Sequence, residues 1–354
     1  MNTEPIIFKD RVNALYSTLR GEKSICIAIH ARPDGDALGC SCAMYRFILT
    51  LPGKKDVCIV SPDPYPSNLG FVTQGVRIID AKSNFEAARK AIREAGALLC
   101  MDMSGASRAG VLSDDILESG AVKVLIDHHQ EPHLEQFGLV FSETAISSAS
   151  ELTYQILMEM PGTGKCGDLP HGVLSALMTG MTTDTNNFAN SVYPSTLKMA
   201  SDLLNEGVDR DGILLQIYNQ FRENRLRAMG YLLHENMKIT PQGAAYMILD
   251  SETRERFGLE DGETEGFVNM PLTLARVRLS IFLRQDGNTF RVSVRSRRGT
   301  SALQIARQYF NGGGHECAAG GRLSIPEDIS GADEAATYIE QVTARFLQME
   351  SPAD

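Results

Sequence analysis

The chain has no C-x-x-C pair. Its seven cysteines, Cys26, Cys40, Cys42, Cys58, Cys100, Cys166 and Cys317, are scattered, odd in number and mostly inside apolar runs. That usage argues against a structural zinc site or a disulfide framework and points to a reducing, cytoplasmic setting. No apolar run approaches the roughly 18 residues a membrane span needs, so no membrane partner is expected. The opening MNTEPIIFKDRV carries acid early and lacks the apolar centre of a secretory signal. Low-complexity tracts and internal repeats are also missing. Nor is there an excess of positive charge, the formal net charge being −10. Proteins that grip long nucleic acid by its backbone are usually basic, so long DNA or RNA is not an expected partner.

What is present is enough chain for two domains, 354 residues with 43% hydrophobic and 22% charged content. ICIAI (25–29), DVCIV (56–60), VRIID (76–80), ALLCM (97–101) and VKVLI (122–126) read as strands. Helical stretches at 37–49 and 84–96 separate some of them. Strands that are apolar throughout and alternate with helices predict a buried parallel sheet, hence an α/β fold with helices on both faces. From 147 to about 236 the pattern is helical, and 205–238 reads as a connection. AAYMILD, ARVRLSIFLR and TFRVSVRS then predict strands, the last two as a hairpin about Asp286-Gly287, with helices over 301–310 and about 332–348. The expected organisation is a first domain over 1–204, a helical linker over 205–238 and a smaller α+β domain over 239–354.

Acidic and histidine residues collect at the ends of the apolar runs. HARPDGDALG supplies His30, Asp34 and Asp36; LLCMDMSGASRAG supplies Asp102; VLIDHHQEP supplies Asp127, His128 and His129; MTTDTNNF supplies Asp184. Taken singly, Asp34, Asp102 and Asp184 read equally well as turn or helix-capping residues, and the Asp-His-His run as a polar turn. His30, Asp102 and Asp127, however, each follow the last apolar residue of a strand, and in an open parallel sheet ligands bind at the carboxyl ends of strands. Mixed imidazole and carboxylate donors are what a pair of divalent cations requires.

The second half carries a different signal. Residues 272–325 hold nine arginines against Asp286 and Glu316, an excess of seven positive charges. This reads as a solvated sheet face or as an anion-binding wall. Gly312-Gly313-Gly314-His315 reads as a glycine turn whose N–H groups converge on an anion, with His315 as a donor.

The order HARPDGDA, Asp102, DHH and TTDT resembles the DHH phosphoesterase superfamily. VRSRRGTSALQIARQYFNGGGHECAAGG resembles the DHH-associated C-terminal domain, and ETEGFVNMPL is similar to a phrase of the NrnA-like branch, which contains oligoribonucleases that also dephosphorylate 3′-phosphoadenosine 5′-phosphate (pAp). Two departures stand out: Asn311 occupies the place of a common fourth glycine, and no second acid follows Asp102 near position 106. The resemblance implies two divalent ions, manganese first and magnesium second, with His30 and Asp34 on one, Asp36, His128 and Asp184 on the other, and Asp102 bridging. It implies that Asp127 orients a neighbouring imidazole and that His129 contacts the scissile phosphate. Arg108, Arg295, Gly313, Gly314 and His315 would bind the rest of the substrate as the second domain closes over the cleft. The implied activity is two-metal activation of water to cleave short oligoribonucleotides to mononucleotides, or pAp to AMP. A cyclic-dinucleotide or pApA phosphodiesterase is the alternative within the superfamily, and a catalytically silent nucleotide sensor is the alternative outside it. Self-association as a homodimer is left open.

Overall fold

The computed structural model describes residues 9–260 and 262–349. The segment MNTEPIIF, part of the stretch read above as no secretory signal, lies outside the described residues. The chain divides into two compact units at Gln220–Phe221, inside the span expected to connect the domains. Among the described residues no helix is long and apolar enough to cross a membrane.

In the first unit β1 (Ser24–Ala28), β2 (Asp56–Ser61), β3 (Ile78–Asp80), β4 (Ala97–Met101), β5 (Val122–Asp127) and β6 (Leu139–Ser142) form one sheet. Its order is β3-β2-β1-β4-β5-β6, and every pair is parallel. The helices are α1 (Lys9–Gly21), α2 (Gly35–Ile48), α3 (Ala81–Arg93), α4 (Ser113–Glu118), α5 (Ala149–Met158), α6 (His171–Asp184), α7 (Pro194–Asn205) and α8 (Arg210–Tyr218). β1 shows why its sequence is apolar without alternation. Ile25 and Ile27 enter one core with α1, α2, α5 and α6, while Cys26 and Ala28 enter the other with α3 and α4. Both faces are covered, so neither can be polar.

Two features of this unit place the site. The strand order reverses between β1 and β4, and the crevice at such a reversal, at the strands' carboxyl ends, is where open α/β sheets bind ligands. Second, α2 and α6 touch backbone to backbone. A Cβ on Gly39 would lie 2.7 Å from the Ala176 carbonyl oxygen and from the Gly180 backbone, so no side chain fits there.

The second unit contains α9 (Glu223–Tyr231), β7 (Lys238–Ile239), β8 (Ala244–Leu249), α10 (Ser251–Arg256), β9 (Leu279–Asp286), β10 (Thr289–Ser296), α11 (Ala302–Tyr309), β11 (Gly313–His315), β12 (Ala318–Ser324) and α12 (Ala335–Met349). Its sheet runs β11-β12-β10-β9-β8-β7, antiparallel except for β8 with β9. Leu279, Ile281, Phe290, Val292 and Val294 pack on α11 and α12. On the opposite face Met247, Leu249 and Phe282 pack on Ala228, Leu232 and Phe267.

The architecture is the α/β domain followed by a smaller α+β domain that the pattern predicts. Several details differ. α1 and the four-residue β6 are absent from the sequence reading, because a short strand carries too little periodicity to register. The glycine run is not a turn: Gly313–His315 is an edge strand paired with β12, so alternate N–H groups of the run are taken up by the ladder.

Candidate active site

His30 lies just beyond the end of β1. Its Nδ1 is 2.9 Å from the Ala31 carbonyl oxygen, so Nδ1–H donates there and Nε2 is turned inward. That Nε2 is 3.5 Å from Asp102 Oδ2 and 3.8 Å from Asp34 Oδ1. Asp34 caps α2, accepting from the N–H groups of Asp36 and Ala37. Here the capping role and a place in the cluster coexist in one residue.

Asp102 follows β4 with φ +56°. A non-glycine residue in this left-handed region is strained, although aspartate tolerates it better than most. The consequence is a carboxylate only 2% exposed, set between two histidines. Oδ2 faces His30, and Oδ1 lies 3.5 Å from His128 Nε2 while accepting no hydrogen bond.

His128 Nε2 is also 3.6 Å from Asp184 Oδ2 and 3.8 Å from Asp36 Oδ2. Asp36 is held from behind by the start of α5, whose Ala149 and Ser150 N–H groups donate to it at 2.6 and 2.9 Å. Asp184 is the last residue of α6. Neither Ser150 nor Gly180 stands out in the sequence reading. A Cβ on Gly180 would fall 1.9 Å from Ser150 Oγ and 2.8 Å from Asp36 Oδ1. The signals were there, in the SSAS run opening a helix and in a glycine inside an apolar helix.

His30, Asp34 and Asp102 thus form one group of potential ligand atoms and Asp36, His128 and Asp184 another, each within 4.8 Å. Asp102 also groups with His128 and His129. Asp127, fully buried, holds His129 through Oδ1 to Nδ1 at 2.7 Å. Arg108 lies exposed on the turn after Asp102, and its carbonyl accepts from the Ala31 N–H, tying that turn to the His30 loop.

The electrostatics reflect crowded carboxylates. Burial, then Asp102, pushes Asp36 up to about 7. Burial alone would raise Asp102, but His128 and His30 hold it well below the ordinary carboxylate range. Burial would lower His128, yet Asp102, Asp184 and Asp36 raise it to about 10. Buried carboxylates in this number call for a cation, and the unbonded Asp102 Oδ1 is an acceptor left for one. The mixed nitrogen and oxygen donors fit divalent ions.

In the second unit Arg295 pairs with Ala318 on β12, and Ala318 pairs with His315 on β11. Directly paired residues share a face, so Arg295 and His315 flank Ala318 on one rung. Arg295 is half-buried and donates from Nη1 to the Val294 carbonyl at 2.9 Å.

Residues 24–181 match the DHH family, N-terminal domain, and residues 242–341 match the DHHA1 domain. The crystal structure of an exopolyphosphatase-related protein from Bacteroides fragilis is 32% identical, with a TM-score of 0.90 over 98% of this chain and 99% of that one. The chain belongs to the DHH family. This DHH chain is 27% identical to the bifunctional oligoribonuclease and PAP phosphatase NrnA of Bacillus subtilis, over 91% of the chain and 93% of that protein. It is 25% identical to the cyclic-di-AMP phosphodiesterase PdeA of Listeria monocytogenes, over 97% of the chain but 51% of that protein. The exonuclease RecJ, solved bound to manganese, shares the fold at 15% identity, with a TM-score of 0.53 over 100% of this chain and 97% of that one. In the DHH domain the four motifs meet at one sheet edge, while the DHHA1 domain carries Arg295 and His315.

Proposed function

We propose that the chain is a metal-dependent phosphoesterase that hydrolyses short oligoribonucleotides to mononucleotides and pAp to AMP. The observation that carries this is the Asp102 carboxylate. One oxygen faces each histidine cluster, and Oδ1 is buried without a hydrogen bond. His30, Asp34 and Asp102 would hold one ion, and Asp36, His128, Asp184 and Asp102 the other. Manganese is the ion we assign, because each group contains an imidazole beside its carboxylates. When bound, the ions supply positive charge and Lewis acidity that make water a competent nucleophile near neutral pH.

The chain's own residues do the rest. The Ala31 carbonyl and the α5 N–H groups fix His30 and Asp36 so that their donor atoms need no reorganisation. Asp127 orients the His129 ring, which contacts the scissile phosphate. Arg108, Arg295, His315 and the backbone at Gly313 and Gly314 bind the part of the substrate that does not react. The names of the NrnA relatives support the substrate class, and likeness to PdeA over nearly the whole chain supports cyclic dinucleotides or pApA as the second reading.

A product-resolved assay under manganese with pAp, pApA, short RNA and cyclic di-AMP separates these readings. AMP from pAp and mononucleotides from short RNA are expected. Turnover of cyclic di-AMP alone would install the second reading, and no turnover of any substrate would leave a nucleotide sensor.

A further inference from the structure

Glu151 is a fully buried acid on α5 that the site described above does not use. Its Oε2 accepts from the Ser147 N–H at 3.1 Å, from the Ser147 hydroxyl and from the Thr196 hydroxyl at 2.6 Å. Its Oε1 is buried with no hydrogen-bond partner. The donors it has are all neutral. Burying an acid in this way, with one oxygen unpaired, costs stability. A capping residue in water would start the helix without that cost, so what Glu151 holds in place is informative.

It holds two things. The first is the opening turn of α5. There the Ala149 and Ser150 N–H groups go to Asp36, the Glu151 N–H goes to the Ser148 hydroxyl at 3.0 Å, and the Ser147 N–H returns to Glu151. The two donors reach Asp36 only while this turn keeps its place. The second is the start of α7, where the Thr196 hydroxyl donates to Glu151 and accepts from the Tyr193 N–H at 3.1 Å. α7 closes the loop that leaves Asp184 at the end of α6. In that loop Asn186, Asn187, Phe188 and Ser191 have φ of 46°, 56°, 66° and 51°. Left-handed residues other than glycine persist only where their surroundings hold them. The near end of the loop is held by α6, and the far end is tied through Thr196 to Glu151.

We infer that Glu151 is a positioning residue for one of the two ions, the one assigned to Asp36, His128 and Asp184. It acts through two of those three ligands. The α5 turn aims its N–H groups at Asp36, and the anchored α6–α7 loop fixes the exit from Asp184. The His30, Asp34 and Asp102 group is built on the ends of β1 and β4 and on the cap of α2. Loss of Glu151 therefore weakens one ion and spares the other. This deepens the metal-dependent phosphoesterase reading and rests on it.

The test is a manganese titration of the full chain, followed by electron paramagnetic resonance of the free ion and by calorimetry, without substrate. The wild type is expected to bind two ions. Glu151→Leu removes the acceptor and fills its space. It should weaken one dissociation constant about 10- to 100-fold, the cost of losing a group that orients a metal ligand, and leave the other unchanged. Glu151→Gln keeps an acceptor for Ser147 and Thr196 and should recover most of the affinity. On an Asp36→Ala background Glu151→Leu should have no further effect on metal binding. Thr196→Val cuts only the tie to α7. It should weaken the same ion to a smaller extent, and it decides the matter if Glu151→Leu does not fold. Thermal unfolding of the metal-free variants is recorded alongside, because a merely structural role would lower the unfolding temperature without separating the two constants. Both constants weakened equally, a full additional loss on the Asp36→Ala background, or constants untouched in Thr196→Val would each overturn the positioning role. A wild type that binds no manganese would overturn the metal reading and this role with it. Two ions in the wild type, with both constants untouched by Glu151→Leu, would overturn the role of Glu151 alone.

Discussion

Asp127 Oδ1 meets His129 Nδ1 at 2.7 Å, and the same carboxylate accepts from the His129 backbone N–H at 3.2 Å. A fully buried acid thus fixes both the ring and the backbone of the histidine that follows it by two residues. Asp127→Asn should keep the shape and lose the charge that orients the ring. We expect kcat to fall about 10- to 100-fold, with KM and metal content nearly unchanged. Loss of bound metal, or a fall in KM alone, would contradict a role exerted through His129.

Asp102→Ala should lower turnover by several orders of magnitude, because the carboxylate we assign to both ions is lost. The fold should survive. Alanine in the left-handed conformation costs about 1 kcal/mol, and a buried carboxylate oxygen without a hydrogen bond disappears in exchange. The check is thermal unfolding beside steady-state kinetics at saturating manganese. Retention of more than roughly a tenth of the wild-type rate would rule the bridge out.

Metal binding should strengthen with pH through neutrality. Asp36, pushed up to about 7, is protonated below that value in the metal-free chain and must ionise to act as a ligand. His128, raised to about 10, is protonated at neutral pH and must release its proton on binding. Calorimetric titration with manganese in buffers of different ionisation enthalpy should therefore show proton release. That release should be larger at pH 6 than at pH 8, where Asp36 is already ionised. Release that grows with pH would contradict the Asp36 assignment.

Gly180→Ala should destabilise the chain by about 1–3 kcal/mol through overpacking and weaken metal loading, since the new methyl would crowd Ser150 and Asp36. Gly230→Ala provides the opposite case. Gly230 sits in α9, where an added methyl would meet nothing within 4 Å, so stability should rise by about 0.5–1 kcal/mol. Denaturant melts of the two variants should move in opposite directions.

Arg295→Ala and His315→Ala should lower substrate affinity about 10- to 150-fold, the worth of a charge-assisted phosphate contact of roughly 1.5–3 kcal/mol. Metal stoichiometry should not change, because both residues lie outside the ligand groups. Loss of metal in either variant would mean that the division of labour between the two domains is wrong.

The sequence alone determined which residues could bind metal and that they would gather. Histidine and aspartate at the ends of uninterrupted apolar strands that alternate with helices fall at the carboxyl edge of a buried parallel sheet, because the helical crossovers set successive strands parallel and cover both faces. That argument reached His30, Asp102 and Asp127, and the family followed from the order of the motifs. It could not say which imidazole Asp127 holds, since residues 128 and 129 are equally near in sequence and only the backbone's path chooses between them. Nor could it find Ser150 and Gly180, whose relation to Asp36 spans more than a hundred residues and exists only where α2, α5 and α6 pack. The glycine run shows the same limit. Glycine permits a turn or an edge strand equally well, and pairing with β12 decided for the strand. Strand register likewise set Arg284, Arg291 and Arg322 side by side, because the pairing of strands is a tertiary property and the arginine count is not.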